Sequence, residues 1–155
     1  MKNIPLIEIE GLNFGYSHEK KIFDGLYFRL MKGQRVGLTG SNGSGKTTFF
    51  HLIMGLLKPL SGNIKIFGAS RKSEKDFEDV RRKIGLLFQD SDDQLFCPTV
   101  EEDIAFGPLN LGKPHDEVHR IVKETCEKLG LGGYEKKITF KLSGGEKRLV
   151  ALASV

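Results

Sequence analysis

The chain has 155 residues, 39% of them hydrophobic and 28% charged, with a net charge of +4. That is enough for one globular domain with its own core, and the charge is too small and too mixed in sign to favour nucleic acid as a partner. No apolar run approaches the roughly 20 residues of a membrane-spanning helix. Met1-Lys2-Asn3-Ile4-Pro5 lacks the apolar core of a secretory signal, so a cytosolic start is expected.

In chain order, Leu6 to Glu10 alternates apolar and charged residues and predicts a strand. Leu12 to Tyr16 and Leu26 to Leu30 are two more, and Lys32-Gly33 is a turn. Arg35 to Thr39 reads as a compact parallel-sheet strand that opens into a glycine-rich loop. Lys46 to Leu57 places Phe49, Leu52, Ile53, Leu56 and Leu57 at helical spacing, with Lys58-Pro59 as the stop. Ser61-Gly62 is a turn and Asn63 to Phe67 a strand. Arg71 to Lys83 is highly charged and predicts a solvated loop or helix. Ile84 to Phe88 is a nearly continuous apolar run, the pattern of a buried strand, and it delivers Gln89 to the strand's carboxyl end. From Thr99 the period becomes helical. Val100, Ile104 and Ala105 share a face. Pro114 suits a first helical position, and Val118, Ile121, Val122, Thr125 and Leu129 continue a stripe to a capping Gly130. Ser143 and Glu146 fit a capping box for a last helix through Leu149 and Leu152.

The strongest chemical signal is Gly40-Ser41-Asn42-Gly43-Ser44-Gly45-Lys46-Thr47, which matches the phosphate-binding loop pattern G-x-x-x-x-G-K-[ST]. Glycines let backbone N–H groups curl around phosphate oxygens, and the following helix points its positive end at the same anion. Lys46 is the expected ligand of the β- and γ-phosphates. Thr47 is the expected ligand of Mg²⁺, and Thr48 beside it in the first helical turn is expected to join the nucleotide-binding residues. No Asn-Lys-x-Asp motif of a guanine-reading GTPase is present.

Leu142-Ser143-Gly144-Gly145-Glu146 resembles the ABC signature, written LSGGQ or LSGGE, and like it opens a helix C-terminal to a P-loop. That resemblance implies ATP and Mg²⁺ as ligands. It implies an α/β fold, a P-loop NTPase core of ABC type with a mixed sheet and N-terminal antiparallel strands, plus a helical subdomain. The corresponding boundaries are residues 1–90 for the core, 91–142 for the helical subdomain and 143–155 for the start of the signature helix. The signature residues Leu142, Ser143, Gly144, Gly145 and Glu146 would contact the γ-phosphate held by another subunit, in a head-to-tail homo- or heterodimer. Tyr16 matches the aromatic that stacks on adenine; a core strand aromatic is the other reading. Gln89 matches the glutamine that touches Mg²⁺ and the attacking water and reports to a membrane partner; a solvated loop residue is the other reading. Lys46 and Gln89 would then be the catalytic groups present.

The stretch Phe88 to Phe96, followed by Thr99 to Pro108, is similar to the ATPase subunits of energy-coupling-factor and cobalt or nickel importers, which carry DDQLF and TVEEDIAFGP. Ser91, Thr139 and Arg148-Leu149 depart from the common pattern. A solvated acidic turn is the other reading of Asp90, Asp92 and Asp93. The resemblance implies transport of a transition-metal ion or vitamin, a transmembrane partner subunit, and a peripheral place on the cytoplasmic face of the membrane. No nucleic-acid partner is expected. Alternatives are a soluble ABC ATPase outside transport, or a nucleotide-binding fragment that does not hydrolyse. The last arises because no Asp-Glu pair follows an apolar strand, so the general base and the Mg²⁺-supporting aspartate of the family are expected beyond Val155. Cys97 and Cys126 lack metal-ligand spacing and are expected as unpaired thiols; His18, His51, His115 and His119 are expected in structural roles.

Overall fold

The computed structural model describes residues 4–17 and 20–155. Met1–Asn3, read above for a signal, and His18, read as a turn residue, lie outside the described residues. The chain divides into two compact units, Met1–Ile84 and Gly85–Val155.

The first unit is built on a four-stranded antiparallel sheet ordered β2-β1-β3-β4, with β1 at Ile7–Ser17, β2 at Lys20–Leu30, β3 at Ser61–Ile66 and β4 at Ala69–Ser70. The two predicted strands at Leu6–Glu10 and Leu12–Tyr16 are one long β1. Gly11, with φ of 60°, sits where the register against β2 slips between Ile9 and Leu12. The extra residue of that bulge re-phases the pleat, so Ile7 and Ile9 face the core before it and Leu12 and Phe14 after it. On the other face, Glu8 pairs with Arg29 and Lys65, and Lys65 also reaches Glu10. These cross-strand charges hold the Glu8 carboxyl below its ordinary pKa.

Helix α1, Lys46–Ile53, lays Phe49, Leu52 and Ile53 on the inner face of the sheet, against Ile9, Leu12, Phe14, Ile64 and Ile66. It ends a turn earlier than Pro59 suggested: Gly55 turns left-handed at φ 71°, and a Cβ there would lie 2.2 Å from the Phe77 ring. Phe77 and Val80 are the buried residues of α2, Glu74–Arg81, so the charged 71–83 segment is a half-buried helix. Its capping box is Ser73 with Asp76, and the backbone N–H groups of Ser73 and Lys72 hold the Asp76 carboxyl down to about 2. Arg81 donates to the carbonyl of Met54 and ties α2 to the end of α1.

Two predicted strands do not form. Arg35–Thr39 and Ile84–Phe88 form no ladder pairing among the described residues, and every ladder described is antiparallel. A strand is completed by its neighbour; apolar sequence alone supplies only half of it. Leu38 and Ile84 still pack on the core of the first unit.

The second unit is helical. It comprises α3 (Val100–Asn110), α4 (His115–Lys128), a single 3₁₀ turn at Thr139–Lys141 and α5 (Gly144–Ala153). Val100 and Ile104, then Val118, Val122 and Cys126, then Leu131, Leu142 and Val150 close one core. Pro114 is the residue before α4 rather than its first, since its carbonyl accepts the Val118 N–H. Gly130, at φ 71°, ends α4. Cys126 is buried and Cys97 half-buried, both as free thiols. No helix among the described residues is long and apolar enough to cross a membrane.

Candidate nucleotide site

The loop Gly40–Thr47 leads directly into α1. Gly40, Gly43 and Gly45 all take positive φ (154°, 80° and 94°), so the chain coils tightly. At Gly45 the requirement is also steric: a Cβ would meet Ile22 Cγ2 at 2.5 Å and Phe23 Cζ at 3.0 Å, both on β2. Sheet packing and loop conformation are therefore one constraint. Gly45 is the N-cap of α1, where no side chain caps the first turn and no acidic residue lies within it. The helix presents its N-terminal amides and positive end uncompensated.

Lys46 Nζ donates to the carbonyls of Gly40 and Ser41, at 2.8 and 2.9 Å, which folds the ammonium back over the loop. The Ser44 N–H closes the turn onto the Ser41 carbonyl at 3.2 Å. Asn42, Ser44 and Thr47 are exposed, whereas Thr48 is buried. Thr48 Oγ1 and the Tyr16 hydroxyl share a 3.1 Å hydrogen bond. Tyr16 is 67% exposed, so it is not a core aromatic; its ring stands edge-on to Phe14, 5.1 Å between centroids. The loop, Tyr16 and the first turn of α1 thus share the first unit. Among the described residues no group of three or more His, Cys, Asp or Glu could hold a metal alone. An exposed threonine hydroxyl beside an anion cradle fits Mg²⁺, which takes oxygen ligands and relies on phosphate oxygens for the rest.

Gln89 and the signature residues belong to the second unit. Gln89 is exposed in a bend after Phe88. At the signature, Ser143 caps α5: its Oγ accepts the Glu146 N–H at 3.3 Å, and Glu146 Oε2 accepts the Ser143 N–H at 2.7 Å. The Ser143 backbone N–H and hydroxyl, with a further bond from the Tyr134 hydroxyl, hold the Glu146 carboxyl down to about 2. The Lys137 ammonium sits 3.1 Å from the centroid of the Tyr134 ring. Leu142 is buried in the helical core, while Gly144 and Gly145 are exposed with open space around them. The Glu146 carboxylate is thus engaged by Ser143, as the capping-box spacing predicts, and by Tyr134, which the motif alone did not reveal.

The acidic stretch is also spoken for in part. Asp90 Oδ1 accepts the Asp92 N–H, and Asp92 pairs with Lys147 of α5. Gln94, to which the sequence reading gave no role, bonds the backbone at Phe88 and the end of α5. Buried Asp103 accepts from the amides of Phe96 and Cys97 and from the Thr139 hydroxyl. Thr139, a departure from the usual pattern, thus satisfies a buried carboxylate. A hollow of about 250 Å³, lined by Leu86, Phe88, Gln94, Phe96 and Phe106 among others, opens on this unit. Phe96 and Phe106 stand exposed at its wall, edge to face at 4.8 Å.

The family model described as ABC transporter matches residues 23–155, and so takes in both the phosphate loop and the signature. The chain belongs to the ABC transporter family. Its relatives in that family include an energy-coupling factor transporter ATP-binding protein, EcfA, of Methanothermobacter thermautotrophicus, 44% identical over 97% of this chain and 49% of the relative. A cobalt import ATP-binding protein, CbiO, of Syntrophus aciditrophicus is 41% identical over 97% of this chain and 54% of the relative. The solved structure of CbiO1 from Clostridium perfringens, part of the ABC transporter complex CbiONQ, superimposes with a TM-score of 0.86 at 34% identity. That match covers 97% of this chain and 60% of the other. The chain spans about half the length of these two curated relatives.

Proposed function

We propose that this chain forms the ATP-binding part of an energy-coupling subunit of an ABC importer for a transition-metal ion such as cobalt or nickel, or for a vitamin. The observation that carries this reading is the uncapped α1 N-terminus beneath the Gly40–Thr47 coil, with Lys46 poised over it. A triphosphate supplies the negative charge that this helix lacks. Lys46 would exchange the Gly40 and Ser41 carbonyls for β- and γ-phosphate oxygens, and Tyr16, fixed by Thr48, would take the adenine face. Thr47 and Gln89 would hold Mg²⁺, which when bound neutralises developing phosphate charge. Gln89 would also orient water. Ser143, Gly144 and Gly145 would meet the γ-phosphate held by a second subunit in a head-to-tail dimer, with Leu142 and Glu146 bracing that turn.

The transport reading is supported by the relatives' names and by the exposed Phe96–Phe106 pair, which lies in the stretch most similar to importer subunits. We assign that hollow to a transmembrane partner, which places the subunit peripherally at the cytoplasmic face of the membrane. Hydrolysis belongs to the complete subunit, whose relatives extend well past the matched region.

The test is ATP binding by titration calorimetry. Lys46→Ala is expected to weaken affinity about hundredfold, the loss of charge-assisted phosphate bonds. Unchanged affinity overturns the phosphate role, and Lys46-dependent binding without turnover in the complete subunit favours the non-hydrolysing reading.

A further inference from the structure

Gln94 makes bonds in two directions. Its Oε1 accepts the Phe88 N–H at 3.0 Å, on the residue before Gln89. Its Nε2 donates to the Ala151 carbonyl at 2.6 Å and to Ser154 Oγ at 3.0 Å, at the far end of α5. Ser154 Oγ in turn donates to the same Ala151 carbonyl. A second tie lies one turn from the start of α5, where Lys147 meets Asp92 at 2.5 Å with its own side chain only 18% exposed. Between the two ties the chain is internally stiff: Asp90 closes an Asx turn, and the Ser91 carbonyl accepts the amides of Gln94 and Leu95. The Gln89 segment is therefore fastened to both ends of the signature helix.

A single amide side chain meets three partners, 6, 57 and 60 residues away in sequence, using both its acceptor and its donors. We propose that Gln94 is a positioning residue that clamps the Gln89 segment to the signature helix, so that engagement of nucleotide at Ser143–Gly145 moves Gln89 with it. The inference rests on the functional reading above for the roles of Gln89 and the signature. The clamp supplies the contiguous physical link that coupling between two sites requires.

Amide hydrogen exchange tests it in two arms. Without nucleotide, Gln94→Ala is expected to raise exchange at the Phe88 amide about tenfold, while α4 exchanges as in the wild type. Gln94→Glu keeps the acceptor for Phe88 but loses both donors, and is expected to raise exchange in the last turn of α5. Unchanged exchange at both places overturns the clamp. With saturating ATP and Mg²⁺, wild-type complete subunit is expected to gain protection at both the start of α5 and residues 88–90. Gln94→Ala is expected to keep the first and lose the second, with ATP affinity within twofold. Equal protection of residues 88–90 in wild type and Gln94→Ala overturns the coupling. ATP binding that is indifferent to Lys46→Ala overturns the functional reading instead, and the nucleotide-free arm still decides the clamp.

Discussion

Two glycine-rich turns in this chain open helices, and they treat the helix N-terminus in opposite ways. At α1 the N-cap is Gly45, in a left-handed conformation, with no side-chain cap and no acid in the first turn. At α5 the N-cap is Ser143, extended, with its capping box complete and Glu146 supplying the negative charge. The first helix lacks an anion and leaves its amides for one. The second carries its own anion, and offers a bound phosphate only what the box does not consume: the amides of Gly144 and Gly145. A motif that accepts ligand by default and one that is already satisfied are different devices, though both read as glycine and serine before a helix.

The contrast breaks most sharply at Gly45. Gly45→Ala combines a left-handed φ with overlap on Ile22 and Phe23, and should cost about 3 kcal/mol in urea unfolding of the first unit. A cost under about 0.5 kcal/mol would show that the loop is free to choose another path. Ser143→Ala removes a cap whose geometry is complete and should cost about 1 kcal/mol, read as faster hydrogen exchange in the first turn of α5. Gly145→Ala should stabilise that helix by about 0.5 kcal/mol, because the added methyl meets nothing within 4 Å and helical alanine outranks glycine. If the same change weakens ATP-driven dimer formation, the glycine is kept for the ligand rather than for the fold.

The smallest effect is one of pH. The Glu146 carboxyl is lowered from 4.5 to about 2 in the folded chain. A depressed carboxylate contributes stability that is present above its unfolded value and lost as pH falls through its folded one. The α5 cap should therefore hold at neutral pH and weaken between about pH 4.5 and about pH 2. Asp76 titrates in the same window, so the comparison is with Glu146→Gln, which caps without a charge and should flatten the loss. A parallel pH profile for the two proteins would remove Glu146 as the group responsible.

Much of the candidate site could be read before the fold was known, for reasons visible at particular residues. Gly40 to Thr47 and the Ser143–Glu146 box are spaced patterns whose chemistry lies within a few residues. The α2 helix was equally readable in principle: Ser73 and Asp76 form a cap three residues apart, and Phe77 and Val80 share a face, yet the surrounding charge obscured both. Gln94 was not readable. It stands in a polar turn, and the carbonyl it serves is 57 residues away. Nor did the sequence show that Thr139 would satisfy Asp103, because neither residue's burial is a local property.

Local sequence by itself determined the phosphate coil, the helix caps and the helical stripes, since φ preferences and i to i+3 or i+4 contacts act over one turn of chain. Tertiary structure alone decided which apolar segments became strands, whether Tyr16 was buried or exposed, and what Gln94 holds. Each of those outcomes depends on a partner group that only folding brings within a few ångströms.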